Sequence, residues 1–406
     1  MSNYIASVIQ IKIFCHLHVK SLVRFRSVSK EWKSLIDSSE FNSDYIISQA
    51  KRCRLLLSGR YHKEGEYCLI VDDDDSFPQH NISLSNPLSF NQLLNMKQKQ
   101  IEFVGSSYGL LCFTRCYLSK DGYFNRYVIW NPAIRKSIAI DALYCKRIYV
   151  GFGVCPNTLD PKIVRINIIS VESGDIEYDD DLQQYVSRLW RVEVFTLSGG
   201  VWRSPLTKLP RKWFNIGLCY QTPLVVNGFI YWCAFINGIS DYINMIVSFD
   251  LGSEKFAKVQ VPSNLAEKCF EIFKLRNSLG VVQIDCTSLE EKVHNVWSMD
   301  HFSKLFTKLY SVTLPQSSKV VGFRDNEQLI IEKTEERLVE NGVRGYVTEL
   351  VAYESNSKQF NDLGLYVRCS SFSSYTESLL LLDQSGTLND DEGDDEHTTR
   401  FVDHEC

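Results

Sequence analysis

Val128-Ile129-Trp130-Asn131 is a short run of β-branched and aromatic residues that halts at Pro132. A run of this size and make-up, bounded by a turn signal, reads as a β-strand. Similar aromatic-led runs return along the chain at Glu193–Leu197, Val247–Leu251, Val296–Asp300 and Val351–Glu354. Their leading aromatics, Trp130, Phe195, Phe249, Trp297 and Tyr353, are separated by 65, 54, 48 and 56 residues. The longest interval carries an acidic insertion, Asp175–Asp181. A period near 50 residues suits a repeat of four-stranded units.

Other strand-sized runs fill the spaces between these. They include Arg54–Leu57, Tyr67–Val71, Leu110–Phe113, Lys162–Ile169, Phe229–Ala234, Leu279–Ile284 and Glu327–Ile331, separated by Gly, Asn, Asp and Ser. The pattern from residue 51 to 383 therefore predicts a large all-β domain. With Arg54–Asp75 as an opening strand pair and Tyr375–Leu382 as a closing strand, about six kelch-like blades form a β-propeller-like ring. Such a ring leaves only short, protected strand edges. A large sandwich would also present many short strands, so both architectures fit the spacing. Trp130, Trp232 and Trp297 fall within strand patterns and are expected in the core.

Residues 1–50 have a different texture. They contain no Gly and no Pro. Val8, Ile9, Ile13, Phe14 and Leu17 recur at helical spacing, and Leu22, Phe25 and Arg26 fit a second short helix. Ser29 is positioned to cap a third helix that carries Trp32, Leu35 and Ile36. A small all-α unit of about fifty residues has a marginal core, so it gains from burying an apolar face against a partner or the next domain. Residues 384–406 include six acidic residues between Asp390 and Glu396 and read as a disordered acidic tail.

Composition narrows the function classes. Hydrophobic residues at 44% and charged residues at 23% are ordinary for globular chains, and a net charge of −5 gives no nucleic-acid footprint. The 13 cysteines are scattered, many inside apolar runs such as those of Cys112, Cys219 and Cys233. They behave as small hydrophobes, which favours a reducing cytoplasmic or nuclear compartment. No apolar run reaches the roughly 18 residues of a membrane span, so no membrane contact is expected. Cys15-His16-Leu17-His18 lacks zinc spacing, and Gly151-Phe152-Gly153 lacks the third glycine of a dinucleotide loop. No metal, cofactor or catalytic residue is assigned.

The run His18-Val19-Lys20-Ser21-Leu22-Val23-Arg24-Phe25-Arg26-Ser27-Val28-Ser29-Lys30-Glu31-Trp32-Lys33-Ser34-Leu35-Ile36 resembles the F-box of plant F-box proteins. Farther on, Gly105-Ser106-Ser107-Tyr108-Gly109-Leu110-Leu111-Cys112, Trp130-Asn131-Pro132-Ala133-Ile134-Arg135-Lys136 and Gly151-Phe152-Gly153 resemble the F-box-associated domain of the same family, a broad group that includes the S-locus F-box proteins. The resemblance implies a non-catalytic receptor subunit of a ubiquitin ligase. Its F-box docks on a Skp-type adaptor, and through it on a cullin and a RING subunit, while the β-domain binds an unidentified target protein. The adaptor-binding residues it suggests are Ile5, Ile9, Leu17, Val19, Leu22, Val23, Val28 and Trp32, rimmed by Lys20, Arg24, Lys30 and Lys33. Phe25 and Leu35 are read as internal packing. Tyr108, Arg115, Tyr117, Tyr123, Asp175–Asp181, Arg211–Trp213 and Asn237–Tyr242 are loop candidates for target contact. The first helix departs from the family pattern at Ala6, Gln10, Lys12 and His18. An alternative function is therefore a protein-binding scaffold that no longer docks productively on a ligase.

Overall fold

A computed structural model describes residues 7–382, apart from 74–100, 171–176, 180–183, 208–215, 238–241 and a few shorter stretches. Four helices open the chain: α1 (Ser7–Cys15), α2 (Val19–Phe25), α3 (Lys30–Asp37) and α4 (Ser39–Gln49). Six antiparallel sheets follow as the blades of a propeller. Blade I is Glu102–Ser107, Leu110–Ser119, Gly122–Asn131 and Lys136–Leu143. Blade II is Ile148–Val154, Pro161–Ser170, Arg188–Thr196 and Trp202–Arg203. Blade III takes its inner edge from two short strands, Ile216–Leu218 and Leu224–Val226, then Phe229–Asn237, Tyr242–Asp250 and Phe256–Val259. Blade IV is Phe270–Leu275, Ser278–Cys286, Glu291–Met299 and Phe306–Pro315. Blade V is Ser318–Phe323, Leu329–Val339, Val343–Glu354 and Gln359–Leu365. Blade VI joins Arg368–Ser374 to the early strands Arg54–Tyr61 and Gly65–Asp72.

The aromatic-led runs are the third strands of blades I to V, which gives the sequence period its physical meaning. Each leads into a turn to the fourth strand that carries one left-handed residue. These residues are Arg135, Gly200, Glu254, Lys304 and Lys358, with φ between 55° and 67°. Counting back five residues from each gives Trp130, Phe195, Phe249, Met299 and Tyr353. The same five positions pair across to the fourth strand, as in Phe249 with Phe256 and Met299 with Phe306. Met299 thus holds the repeat position in blade IV, two residues after the expected Trp297. The last three intervals become 54, 50 and 54 residues. The strand pattern hid this phase because Trp297 is the larger aromatic on the same face.

Ring closure differs from the expectation. The strand that closes blade VI is Arg368–Ser374, which pairs antiparallel with Arg54–Tyr61 through a bulge at Ser58/Gly59. Tyr375–Leu382 is not a strand. The true closing strand is rich in serine and gives a weak strand signal, whereas the four leucines that follow are drawn toward other surfaces.

Cores run between neighbouring blades. Trp130, Trp232 and Trp297 are all buried, as expected. Gly151 and Gly153 lie on the inner strand of blade II because the next blade presses on it. A Cβ at Gly151 would lie 2.5 Å from the Trp232 ring, and one at Gly153 2.7 Å from Leu251 Cδ1. The seam between blades II and III also holds a buried ion cluster. Glu254 accepts from Lys162 Nζ at 2.8 Å, from both terminal nitrogens of Arg203 at 2.6 and 2.7 Å, and from the Leu206 N–H at 3.1 Å. Its burial opposes ionisation, but the Arg203 and Lys162 hydrogen bonds outweigh that and hold the carboxyl at about 2.

Candidate functional site

The helical unit is held together by one core. Phe14, Val19, Leu22, Ile36, Phe41 and Tyr45 are buried in it, with Leu17, Phe25, Trp32 and Leu35 partly buried around them. Phe14 is the hub of an aromatic cluster, 5.2 Å from the Trp32 ring, 5.6 Å from Phe25 and 6.3 Å from Phe41. The third helix is capped as its sequence predicts, with Ser29 Oγ accepting from the Trp32 N–H at 3.1 Å. A fourth helix, not foreseen as separate, follows at once. Ser38 Oγ caps it by accepting from the Phe41 N–H at 3.2 Å.

Helix α4 satisfies the carbonyls that α1 leaves open at its C-terminal end. Ser48 Oγ and Gln49 Nε2 both donate to the Cys15 carbonyl at 3.1 Å. Tyr45 OH donates to the Leu17 carbonyl at 3.1 Å, and burial pushes that hydroxyl up so that it stays a neutral donor. Arg52 donates to the His16 carbonyl at 2.8 Å. Arg26, just past α2, grips Asp37 at the end of α3 through two bonds of 2.5 and 2.8 Å.

With the inner face so occupied, the outward face can be read directly. Val8 (62% exposed), Ile9 (53%), Ile13 (48%), Val23 (37%) and Val28 (62%) present aliphatic side chains to solvent. Lys20, Arg24, Lys30 and Lys33 are exposed on the same unit. Two of the expected docking residues need correction. Val19 (2%) and Leu22 (0%) point inward and serve the core. Leu17 and Trp32 are half-buried, and Ile5 lies outside the described residues. Val8 and Ile13 join the outward set. The apolar recurrence in α1 therefore spans two faces: Val8, Ile9 and Ile13 look out, and Phe14 looks in.

The unit is fixed to the ring by the segment that had been expected to close it. Tyr375–Leu382 runs as a strap from blade VI beneath the helices. Leu379 and Leu382 enter the helical core, while Leu381 enters the core between blades I and II. The Trp130–Lys136 run holds the strap. Asn131 Nδ2 donates to the Ser378 and Leu380 carbonyls at 3.0 and 2.8 Å, and Asn131 Oδ1 accepts from the Ala133 N–H at 3.0 Å. Lys136 Nζ donates to the Leu382 carbonyl at 2.6 Å. Ala133 and Ile134 pack against the helical core from the ring side. Gly109, at φ +75°, lets the turn between the first two strands of blade I approach the strap, where a Cβ would come within 2.4 Å of the Thr376 carbonyl. Arg54 pairs with Glu377 at 2.7 Å. The Asn-Pro junction was the one sequence sign of this joint, since an amide at the end of a strand pattern is placed to bond a passing backbone.

In each four-stranded blade, the turns joining strands one to two and three to four lie at one end. The helical unit sits at that end of blade I. The opposite end carries the turns between second and third strands. Several of the expected target-contact residues lie on such hairpins rather than in loops. Arg115 is buried on the second strand of blade I, Tyr117 stacks on Phe124, and Tyr123 is exposed on the third strand. Tyr108 sits in a turn, at φ 47°. Of Asp175–Asp181, Glu177–Asp179 forms a short strand paired with Gln184–Val186 in the connection of blade II. Asn237 and Tyr242 end the paired strands of blade III. Arg211–Trp213 lie outside the described residues. Cys15 is buried, and His16 Nδ1 is 2.8 Å from the Lys12 carbonyl, so the Cys-His-Leu-His run is engaged in helix structure. Among the described residues no group of three His, Cys, Asp or Glu side chains is placed to hold a metal, and no helix is long and apolar enough to cross a membrane.

Helical unit, strap and six blades together define a small helical module fastened to a large β-propeller ring. The model of the F-box domain matches residues 7–44, and that of the F-box associated beta propeller domain matches residues 79–381. The chain belongs to the F-box proteins with a C-terminal F-box associated β-propeller domain. Similar curated proteins come from Arabidopsis thaliana. F-box protein At1g67130 is 24% identical over 76% of this chain, an overlap that spans 61% of that relative's length. F-box only protein 8 is 26% identical over 66% of this chain and 83% of its own. Among solved structures, the β-propeller domain of the Trilobed protease from Pyrococcus furiosus overlaps at a TM-score of 0.36 and 13% identity, over 66% of this chain and 72% of that one. That overlap is too loose to bear on function.

Proposed function

We propose that this chain is the target-recognition subunit of a Skp-cullin-F-box ubiquitin ligase. The observation that supports it is the set of five outward aliphatic residues, Val8, Ile9, Ile13, Val23 and Val28, on a helical unit whose own core is already complete. Exposed apolar side chains with a polar rim are what a protein interface requires. The rim formed by Lys20, Arg24, Lys30 and Lys33 suits an acidic adaptor and speeds encounter more than it deepens affinity. Ile9, Val23 and Val28 keep the docking role suggested by the family resemblance, and Trp32 and Leu17 contribute from the edge. Val19 and Leu22 shape the face from behind.

The chain makes and breaks no bond in this reading. It raises the effective concentration of a target lysine beside the charged ubiquitin thioester. The strap gives that role a physical basis, because a receptor linked to its docking module by a packed joint presents its target at a defined place. The ring end away from the helices, with its hairpins between second and third strands, is the surface left for the target.

Affinity purification of the tagged chain from plant tissue under proteasome inhibition tests the reading. A Skp-type adaptor and a cullin are expected among the captured proteins. Their absence would sink the proposal and leave the scaffold reading, which the departures at Gln10, Lys12 and His18 motivate.

A further inference from the structure

Inside the ring, away from the docking face, inner strands of five blades enclose a cavity of about 900 Å³, with Ile46 of α4 and Ala50 just past its end on the wall. Lys274, on the inner strand of blade IV, reaches Ser374 on the inner strand of blade VI, its Nζ donating to Oγ at 2.7 Å. Blade V lies between those two blades. The lysine therefore extends across the channel rather than along a seam between neighbours. Ser373 Oγ, next in the chain, lies 3.4 Å from Ser106 Oγ of blade I, and all three serines line the cavity.

The charge in this channel is incompletely matched. Among the described residues no carboxylate lies within ion-pairing distance of Lys274. Burial pushes its ammonium down from the usual lysine range, and Asp325 only partly offsets that. Glu271, three residues earlier on the same strand, also lines the cavity, and among the described residues it makes no ion pair. Burial pushes its carboxyl up, opposed in part by Lys319 and Lys292. Three residues of strand separate their Cα atoms by about 10 Å. Desolvated charges without partners are costly, and a ligand that supplies the counter-charge recovers that cost as binding energy. The Lys274 ammonium beside three neutral hydroxyls fits a singly charged oxyanion. Lys319 and Arg368 are further cations on this wall and Glu332 a second carboxylate; Lys319 acts on Glu271, and Glu332 accepts from the Cys369 N–H at 2.7 Å.

We propose that the channel is a binding site for a carboxylate, received by Lys274 together with Ser374, Ser373 and Ser106, with Glu271 facing N–H groups farther along the same ligand. A small organic acid and the C-terminus of a polypeptide carry this chemistry equally; the second source rests on the target-capture reading above.

The test uses the full-length chain, immobilised, and three probes: a randomised octapeptide pool with free C-terminal carboxylates, the same pool with C-terminal amides, and N-acetylglycine, a small monocarboxylate that carries an N–H. Captured peptides are read by mass spectrometry, and N-acetylglycine by calorimetry. Binding of the acid pool or of N-acetylglycine is expected, with the amide pool excluded and with at least a tenfold loss in Lys274→Met. A preference for the acid pool assigns the site to chain termini, and a preference for N-acetylglycine assigns it to a free acid. Lys274→Met removes a desolvated charge, so its melting temperature is expected to be unchanged or higher, which separates lost binding from lost fold. Equal capture of the acid and amide pools, or equal binding by wild type and Lys274→Met, overturns the site. Adaptor capture by Lys274→Met keeps the two proposals distinct, since it survives failure of the channel site alone.

Discussion

The two faces of the helical unit use the same kinds of residue for opposite purposes. Leu22 and Val19 on the inner face are closed off by the aromatic cluster and by two leucines from the far end of the chain. Val23 and Val28, one and nine residues along, stand in solvent. A β-branched or aliphatic side chain has no preference between core and interface. What separates the two roles is the tertiary partner that covers it. The inner face already has its cover within the chain, and the outer face is left for a second protein.

Substitutions on either face can break or sharpen this contrast. Leu22→Asp should have the largest effect on stability, about 4 kcal/mol, because it buries a carboxylate without a partner. Loss of the helical unit's protection in hydrogen exchange would register it, and adaptor binding would go with the fold. A mild effect would mean that Leu22 is not sealed. Glu254→Gln comes next, at about 3 kcal/mol, since it removes the carboxylate that pairs with both Lys162 and Arg203 and leaves Arg203 only the weaker attraction of Asp160. Its pH dependence gives a separate check. The folded-state value of about 2 lies below the ordinary 4.5, so the stabilisation is present above the ordinary value and is lost as pH falls toward 2. Denaturant midpoints of the wild type should drop across that window more steeply than those of Glu254→Gln.

Asn131→Ala should cost about 2 kcal/mol by stranding the Ser378 and Leu380 carbonyls. Faster exchange confined to the strap and the base of α4, with the blades unchanged, would identify Asn131 as the clasp of the joint; uniform loosening of the ring would not. Smallest in stability is the pair Ile9→Asp with Ile13→Asp, which should shift the melting curve by about 0.5 kcal/mol or less. The same pair should weaken adaptor capture at least tenfold, which is about 1.4 kcal/mol of binding. Unchanged capture would move the docking face elsewhere on the unit.

Much of the architecture is legible in the sequence. The repeat of aromatic-led strands announced the blades, because third strands must each supply a large side chain to the seam between blades. Ser29 announced its helix because a hydroxyl before an amphipathic run has one local hydrogen-bond role. The misreadings share one cause. Trp297 reads as the repeat position and Tyr375–Leu382 as a strand because Trp297 and the four leucines are strongly apolar, and local pattern registers apolarity without its destination.

Residue order alone therefore established the helical start, the β-rich remainder, the repeat and the family to which they belong, since each depends on contacts between near neighbours in the chain. The closing strand, the inward burial of Val19 and Leu22, the grip of Asn131 on a backbone some 250 residues away and the lysine reaching across the channel depend on contacts between distant segments. Those contacts exist once the ring has closed, and ring closure sets which side chains are covered and which remain free to bind.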